Sequence, residues 1–145
     1  MNLKQILKQA ELGKVAHLAT ASSNLQPHLV PVVFVILKRN IFIPLDCKPK
    51  STAVKQLKRV KNIEANPKVA FLVDNYEDDW ERLWFVMLVG SARLIDHSIS
   101  TARDRGFSNI QKLLFKKYSQ YSKIGMGRIY IKIKVLRGVY WRYSK

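Results

Sequence analysis

The sequence has little cysteine and few acidic residues. Cys47 is the single cysteine, which excludes an intramolecular disulfide framework and a cysteine metal cluster. Ten Asp and Glu residues stand against 26 Lys and Arg, for a net charge of +16 and a pI near 10.2. A chain this basic is expected to attract polyanions such as nucleic acid, a membrane surface or a highly charged cofactor.

Long apolar runs are also missing. No stretch approaches the roughly 20 apolar residues of a membrane span, and residues 1–14 lack the apolar core and cleavage site of a signal peptide. Zinc-finger spacing, an RNA-binding signature and a continuous basic tail are absent as well. We therefore expect residues 1–145 to form one soluble, cytoplasmic domain without a membrane partner, large enough for a proper core.

A nucleophilic or metal-dependent catalytic site is not indicated. His17 and His28 flank the same predicted turn, but no Ser or Cys nucleophile with an acidic partner accompanies them. Two histidines alone are weak evidence for a metal. We expect both to be structural, and the sequence assigns no catalytic residue and no metal ligand.

The most informative stretch is the basic segment 46–73, with seven Lys or Arg residues and two acidic ones. Ser51 or Thr52 is a good N-cap for a helix that runs to about Asn62. Lys48 and Lys50 would then lie just before the helix N-terminus. Free backbone N–H groups and the positive end of the helix dipole make such a position a phosphate site.

The helix that follows should be amphipathic. Val54, Leu57, Val60 and Ile63 recur every three residues and should face the core. Helical side chains lean toward the N-terminus, so Lys55 and either Lys58 or Arg59 could reach the same anion. The alternative interpretation is a solvated cationic helix face.

Periodicity elsewhere predicts six antiparallel strands with peripheral helices. Such a mainly β, α+β chain should close as a small barrel or Greek key. Pro31 cannot donate to a strand ladder, so it marks an edge strand or backbone left free for a ligand, and Gly90 marks a bend or a close backbone approach. The predicted strands are 15–21, 27–37, 41–45, 69–73, 83–95 and 128–140.

The connections between these strands are predicted as well. The first three strands should pair as successive hairpins, and Asn66-Pro67 should stop the helix that follows them. Residues 98–118 are predicted to be helical with a break at Gly106, and residues 119–127 to form a loop.

Several segments together resemble a known family of flavoproteins. They are Leu18-Ala19-Thr20 with Pro27-His28 and Val30-Pro31-Val32-Val33, then 57–63 with Asn66-Pro67-Lys68-Val69-Ala70, and Trp80 through Gly90-Ser91-Ala92. From about Val15 to Trp141 the chain resembles the split β-barrel proteins of the pyridoxamine 5′-phosphate oxidase-like, FMN-binding superfamily. It looks most like the branch of flavin- or deazaflavin-dependent (coenzyme F-420) oxidoreductases.

This resemblance implies a six-stranded antiparallel split β-barrel that forms a homodimer, with the cofactor at the subunit interface. The cofactor ring would lie along the second strand, and its phosphate would lie near the basic segment. Tryptophans of the partner chain would cover the ring, although a core role for them is also open. The implied residues are Val30, Pro31, Val32 and Val33 for the ring, Lys48, Lys50, Ser51 and Lys58 for the phosphate, and Trp84, Trp141 and Trp80 for the cover.

The implied function is hydride transfer between FMN or coenzyme F-420 and a small organic substrate. Since the cofactor carries that chemistry, the protein need not supply an acid–base pair. Trp141-Arg142-Tyr143 stands where the family's oxidases have an Arg-x-His motif, which argues against pyridoxamine phosphate as the substrate.

Two alternatives remain beside this function. The first is a protein that binds the cofactor without turnover. The second is a basic nucleic-acid-binding module that would use Tyr130 and Lys132 as a stacking surface, but the resemblance disfavours nucleic acid as a partner.

Overall fold

The computed structural model describes residues 1–45, 56–97, 105–125 and 127–145, and the side chain of Arg105 is not part of that description. Four helices lie in these ranges: α1 Leu3–Glu11, α2 Lys58–Ala65, α3 Arg105–Lys117 and α4 Tyr121–Ile124, with a 3-10 turn at Trp80–Arg82. The strands are β1 Ala16–Ala21, β2 Pro27–Val32, β3 Val35–Leu37, β4 Asn40–Pro44, β5 Lys68–Asn75, β6 Trp84–Asp96 and β7 Ile129–Arg142.

The strands form one antiparallel sheet in the order β2-β1-β5-β6-β7-β4-β3. The fold is mainly β with peripheral helices, as predicted. The sheet has seven strands, however, and it is not closed, so the prediction of six strands in a barrel is wrong in these two respects. The hairpins β1–β2 and β3–β4 form as expected, but β2 and β3 lie at opposite edges of the sheet.

The extra strand arises because the predicted strand 27–37 is interrupted at Val33 and Phe34. The backbone N–H of Phe34 donates to the hydroxyl oxygen of Tyr118 at 3.0 Å. That hydroxyl lies 2.9 Å from the carbonyl oxygens of both Lys14 and Phe34 and donates to one of them. Since a side chain satisfies the polar groups of Phe34, the backbone can leave one sheet edge and join the other.

Two apolar clusters hold the structure together. The larger one lies between the sheet and helices α1 and α2, and it includes residues from both sides of the strand order, such as Val32 and Ile41. The smaller one lies on the outer side of β3 and β4 beneath α3. Its members are Val35, Phe42, Ile110, Leu114, Tyr118 and Tyr130.

Helix α2 begins later than the sequence indicated. Its first residue is Lys58 and its N-cap is Leu57, whereas the predicted caps Ser51 and Thr52 lie outside the described residues. The helix passes Asn62 and ends before Asn66-Pro67, where a stop was predicted. Val60 and Ile63 are buried as expected.

Helices α3 and α4 also differ from expectation. The described part of α3 runs through Gly106, where a break was predicted, because Ile110, Leu114 and Tyr118 form a buried stripe that anchors the helix. Tyr121–Ile124 forms a short helix where a loop was expected. No helix in the described part of the chain is long and apolar enough to cross a membrane.

The last strand shows the predicted alternation, with Ile131, Ile133 and Val135 buried. Tyr130 on the other face is buried too, because α3 and the ring of Phe107 cover it. A nucleic-acid stacking surface at Tyr130 is therefore ruled out. Gly90 makes the predicted close approach: a Cβ there would overlap the carbonyl oxygen of Lys134, at a bulge where the β6–β7 register shifts.

Candidate functional site

A cleft of about 310 Å³ opens where β2 leaves the sheet. Residues from β2, β4 and two helices come together there. The described lining residues are Val15, Pro31, Val32, Val33, Pro44, Arg59 and Tyr121. Most are apolar, and Arg59 is the one charged side chain among them.

One wall of the cleft is an edge strand. Among the described strands, β2 pairs with β1 alone, and alternate residues of such a strand direct their N–H and C=O groups away from the single neighbour. Pro31 is exposed on this strand, which agrees with the edge position predicted for it. A flat ligand laid along β2 would therefore meet apolar side chains and free backbone polar groups.

The opposite wall supplies positive charge. Arg59 is the second residue of α2 and is partly buried. The first turn of α2 contains no acidic residue, and the side chain of its N-cap, Leu57, makes no capping hydrogen bond. A guanidinium and the positive end of a helix thus lie at the same side of the cleft, an arrangement that suits an anion.

Helix α2 is tied to the sheet by a buried polar contact. The Asn62 amide nitrogen donates to the Thr20 hydroxyl of β1 at 2.9 Å, and both residues are buried. A buried hydrogen bond of this kind fixes orientation as well as distance. The position of Arg59 relative to β1 and β2 is therefore set by the fold.

Behind the cleft, a polar network holds the break between β2 and β3. Glu11 accepts a hydrogen bond from the backbone N–H of Ile36 at 3.0 Å and pairs with Lys117 at 3.5 Å. The Lys117 ammonium also lies 3.7 Å from the centre of the Phe34 ring. Together with Tyr118, these groups attach α1 and α3 to the segment that follows Val33.

Burial dominates the titration of this network. It raises the pKa of Glu11 and lowers the pKa of Lys117, while the attraction between the two charges opposes both shifts. Burial also raises the pKa of Tyr118 to about 12. Tyr118 therefore keeps its proton at neutral pH and can both donate and accept at the break.

The structure brings together some of the predicted site residues. Pro31, Val32 and Val33 all line the cleft, whereas Val30 packs against the main core cluster. Lys58 is exposed on the first turn of α2, and Arg59, the alternative to it, lines the cleft instead. The predicted phosphate residues Lys48, Lys50 and Ser51 lie outside the described residues.

The predicted tryptophans lie away from the cleft of their own chain. Trp84 is partly buried against the core, and Trp141 stacks on Phe85 with ring centres 5.5 Å apart. Pro44 of the cleft pairs with Tyr130, and Trp141 lies eleven residues further along β7, or roughly 36 Å at about 3.3 Å per residue. Trp84 of β6 lies at the same end, opposite Arg142. Within one chain these rings do not reach the cleft, so a covering role would require a second chain.

Tyr121 is a lining residue that the sequence analysis missed. It belongs to α4, within a segment predicted to be a loop. Its ring packs edge-on against Tyr118 with centres 6.3 Å apart. No periodic signal was available for it, because α4 is a single turn.

The outer face of the sheet carries exposed apolar side chains. Cross-strand register places Leu29 on β2, Met87 on β6, and Val139 and Trp141 on β7 on this one face. Leu29 is 66% exposed and Val139 is 50% exposed. An apolar patch that spans five strands is characteristic of a surface that binds a partner.

The described residues offer little other chemistry. No group of three or more His, Cys, Asp or Glu residues in the described part of the chain could hold a metal ion. What the cleft provides is an apolar wall, free strand backbone and one guanidinium. These groups fit a flat, largely apolar ring that carries an anionic substituent.

Solved structures with the same fold come from several bacteria. A conserved hypothetical protein from Mycobacterium tuberculosis is 16% identical, with a TM-score of 0.71 over 98% of this chain and 85% of that one. HutZ, the heme storage protein of Vibrio cholerae, is 12% identical, with a TM-score of 0.67 over 98% and 95%. An FAD-binding protein from Mesorhizobium loti is 16% identical, with a TM-score of 0.67 over 99% and 96%.

The sequence itself also matches a family. Residues 3–142 match the pyridoxamine 5′-phosphate oxidase family, which is nearly the whole chain. The chain therefore belongs to the pyridoxamine 5′-phosphate oxidase family, and the predicted kinship with FMN-binding split-barrel proteins is confirmed. No curated protein sequence matches it.

Proposed function

We propose that the protein is an oxidoreductase that binds FMN or coenzyme F-420 in the cleft and transfers hydride to or from a small organic substrate. One observation carries the proposal. Pro31, Val32 and Val33, at the end of a free-edged strand, share a single cleft with the cation Arg59 in a chain of this family. Flavin-binding among proteins of the same fold supports it.

Each part of the cleft has a binding role in this proposal. The apolar wall of β2 shields one face of the ring, and free backbone groups of the strand bond its polar edge. Arg59 and the N-terminus of α2 hold the phosphate, with Lys48, Lys50 and Ser51 as further predicted partners. When bound, the cofactor supplies the hydride chemistry, and the protein orients it and excludes water.

The proposal includes a homodimer. The exposed face that holds Leu29, Met87 and Val139 is too apolar to be left in water without a function. A twofold contact through this face would bury it against itself. It would also bring the partner's Trp84 and Trp141 toward the cleft that their own chain cannot reach.

FMN and coenzyme F-420 differ in what they ask of the protein. FMN needs the ring wall and one phosphate site, both of which the cleft can supply. The deazaflavin adds a phosphodiester and a polyglutamyl tail, whose carboxylates would suit the exposed Lys58 and Lys61 of α2. Parallel titrations with the two cofactors therefore show which one the protein prefers.

The test is a fluorescence and absorbance titration of the protein with FMN, with coenzyme F-420 and with hemin. We expect saturable binding of one of the first two at low micromolar concentration or tighter. Loss of a charge-assisted contact in Arg59→Gln should weaken it about tenfold or more, while Lys61→Gln, an exposed cation on the same helix, should change it less than twofold. Saturable binding of hemin alone, or equal losses in both variants, would contradict the proposal.

A second measurement separates an enzyme from a storage protein. The bound cofactor is mixed anaerobically with reduced nicotinamide and with other organic hydride donors, and its absorbance is followed. Reduction by any donor supports the oxidoreductase. A tightly bound cofactor that no donor reduces supports binding without turnover.

A further inference from the structure

A second cationic site lies on the outer face of the sheet, and its basic side chains come from β5, β6 and β7, which contribute no described lining residue to the cofactor cleft. Four basic side chains contribute to it: Lys68 at the start of β5, Arg93 on β6, and Lys132 and Lys134 on β7. Arg93, Lys132 and Lys134 line a cleft of about 230 Å³ together with Asn40, Ser91 and Ala92.

Strand register fixes how these cations are arranged. Ser91 pairs with Lys68 on one side and with Lys134 on the other, and Lys134 pairs with Asn40 of β4. Two residues along the ladder, Arg93 stands directly opposite Lys132. Directly opposed side chains have Cβ atoms about 4.5–5.5 Å apart, so two neighbouring rows of one sheet face present four positive charges.

Among the residues that the structure describes, these charges have no internal counter-charge. In the part of the chain that the structure describes, the ion pairs of Glu11 with Lys117 and Glu77 with Arg82 lie elsewhere. None of the four cations pairs with a carboxylate there. Since like charges directly opposite each other destabilise a sheet, the placement of Arg93 beside Lys132 indicates a ligand rather than a contribution to folding.

The neutral groups of the cleft are suited to the same ligand. Asn40 and Ser91 can donate hydrogen bonds between the charged side chains. The Lys132 ammonium lies 5.8 Å from the centre of the Phe42 ring, which restrains that side chain. A compact oxyanion with several negative charges is the ligand that such a donor set accommodates.

The site is separate from the cofactor cleft. The two clefts share no described lining residue. Pro44, which lines the cofactor cleft, stands opposite Tyr130, and Tyr130 is buried beneath α3. The buried cluster beneath α3, which includes Tyr130, therefore separates the cofactor cleft from Lys132, two residues further along β7.

We propose that Arg93, Lys132 and Lys134, with Lys68 beside them, bind the linked phosphate groups of a polyphosphate anion. Long side chains from two rows can converge on adjacent phosphates, which concentrate negative charge as a single carboxylate does not. A nucleotide polyphosphate and a nucleic-acid backbone both carry phosphate. We assign the linked phosphates as the recognised group.

Calorimetric titration with pyrophosphate at fixed ionic strength tests the site. The Arg59→Gln protein is the starting material, so that the phosphate position of the cofactor cleft does not contribute. We expect saturable binding that falls tenfold or more in Lys132→Gln/Lys134→Gln. The matched control, Lys4→Gln/Lys8→Gln on the exposed side of α1, should change it less than twofold.

The outcomes separate the possible sources of phosphate. An affinity for ATP that matches or exceeds the affinity for pyrophosphate, with ATP displacing bound pyrophosphate, supports the proposal. No saturation, an equal loss in the α1 control, or much tighter binding of an oligonucleotide with no measurable affinity for pyrophosphate would overturn it. Because binding of FMN and coenzyme F-420 is measured separately on the wild-type protein, failure here leaves the proposed function untouched.

Discussion

The outer face of the β6–β7 ladder changes its chemistry at the Gly90 bulge. On one side, Phe85 and Met87 face Trp141 and Val139, an apolar surface. On the other side, Ser91 and Arg93 face Lys134 and Lys132, a cationic surface. Both surfaces belong to the same face of the same two strands. The alternation of side chains along a strand therefore decides which residues point outward, but it does not decide what those residues bind.

The bulge marks the border between these surfaces. Val89 pairs with Arg137 and Gly90 with Val135, so Leu136 is the extra residue on β7. A bulge bends its strand and increases the local twist. The apolar surface is therefore set at an angle to the cationic surface, so a second chain bound to the first, as proposed, would leave the other open to an anion.

The largest effect should come from a charge placed in the apolar half. Met87→Glu puts a carboxylate within the proposed dimer contact, and an uncompensated buried charge should weaken association roughly thousandfold. Sedimentation of the wild type and the variant measures this. Arg93→Glu, across the bulge, should leave the dimer intact. A wild-type monomer, or equal dissociation of both variants, would remove the distinction between the halves.

The next effect concerns the border itself. Gly90→Val forces a side chain against the Lys134 carbonyl, and overpacking of this kind costs about 3 kcal/mol. Urea denaturation should show the loss as a lower midpoint. Ser91→Ala, one residue away and exposed, should stay within about 0.5 kcal/mol of the wild type. A Gly90→Val variant as stable as the wild type would show that β6 and β7 can move apart at this point.

A third part of the outer face lies under α3, and Tyr118 attaches that helix. Tyr118→Phe leaves the backbone groups of Phe34 without their partner and should cost about 2 kcal/mol. Because folding raises this pKa from the ordinary 10.0 to about 12, the wild type holds the proton more tightly when folded. The difference in the free energy of unfolding between the wild type and Tyr118→Phe should be complete below pH 10 and shrink toward pH 12.

Urea denaturation of both proteins at pH 8 and pH 11 measures that difference. An undiminished difference between the wild type and Tyr118→Phe at pH 11 would contradict the assigned role of the hydroxyl. Tyr143→Phe, exposed at the C-terminal end, is the control for general effects of tyrosine removal and should show neither change.

The smallest effect should be a gain. Lys132→Glu replaces a like-charge pair with an opposite-charge pair across from Arg93 and should stabilise the fold by about 0.5 kcal/mol. High salt should reduce the gain, because the pair is screened. Lys134→Glu stands opposite Ser91 and Asn40 and should give a smaller gain. Equal gains would mean that only the overall net charge matters.

Most of the fold could be predicted from the alternation of apolar residues. The strands that became β1 and β4–β7 were found because each has one face in the core. The break at Val33 was missed because the deciding partner, Tyr118, lies 84 residues further along the chain. Local sequence around Phe34 favours a continuous strand, and a tertiary hydrogen bond overrides it.

The candidate site shows the same limit. Pro31 was identified because proline has a defined meaning in a strand. Whether Lys58 or Arg59 lines the cleft depends on how α2 is rotated about its axis, and this rotation follows from the residue at which the helix begins. The prediction placed that residue too early, because α2 begins at Lys58. Tyr121 lies on a single-turn helix, which is too short for a periodic signal.

The break between β2 and β3 also bears on the order in which the molecule assembles. Phe34 and Tyr118 must meet across most of the chain before the two sheet edges are fixed, and contacts of such long range form slowly. A chain in which α3 has not yet docked would have a sheet without a finished cleft. Cofactor binding would then report completed folding, and a bound cofactor would favour the finished state by mass action.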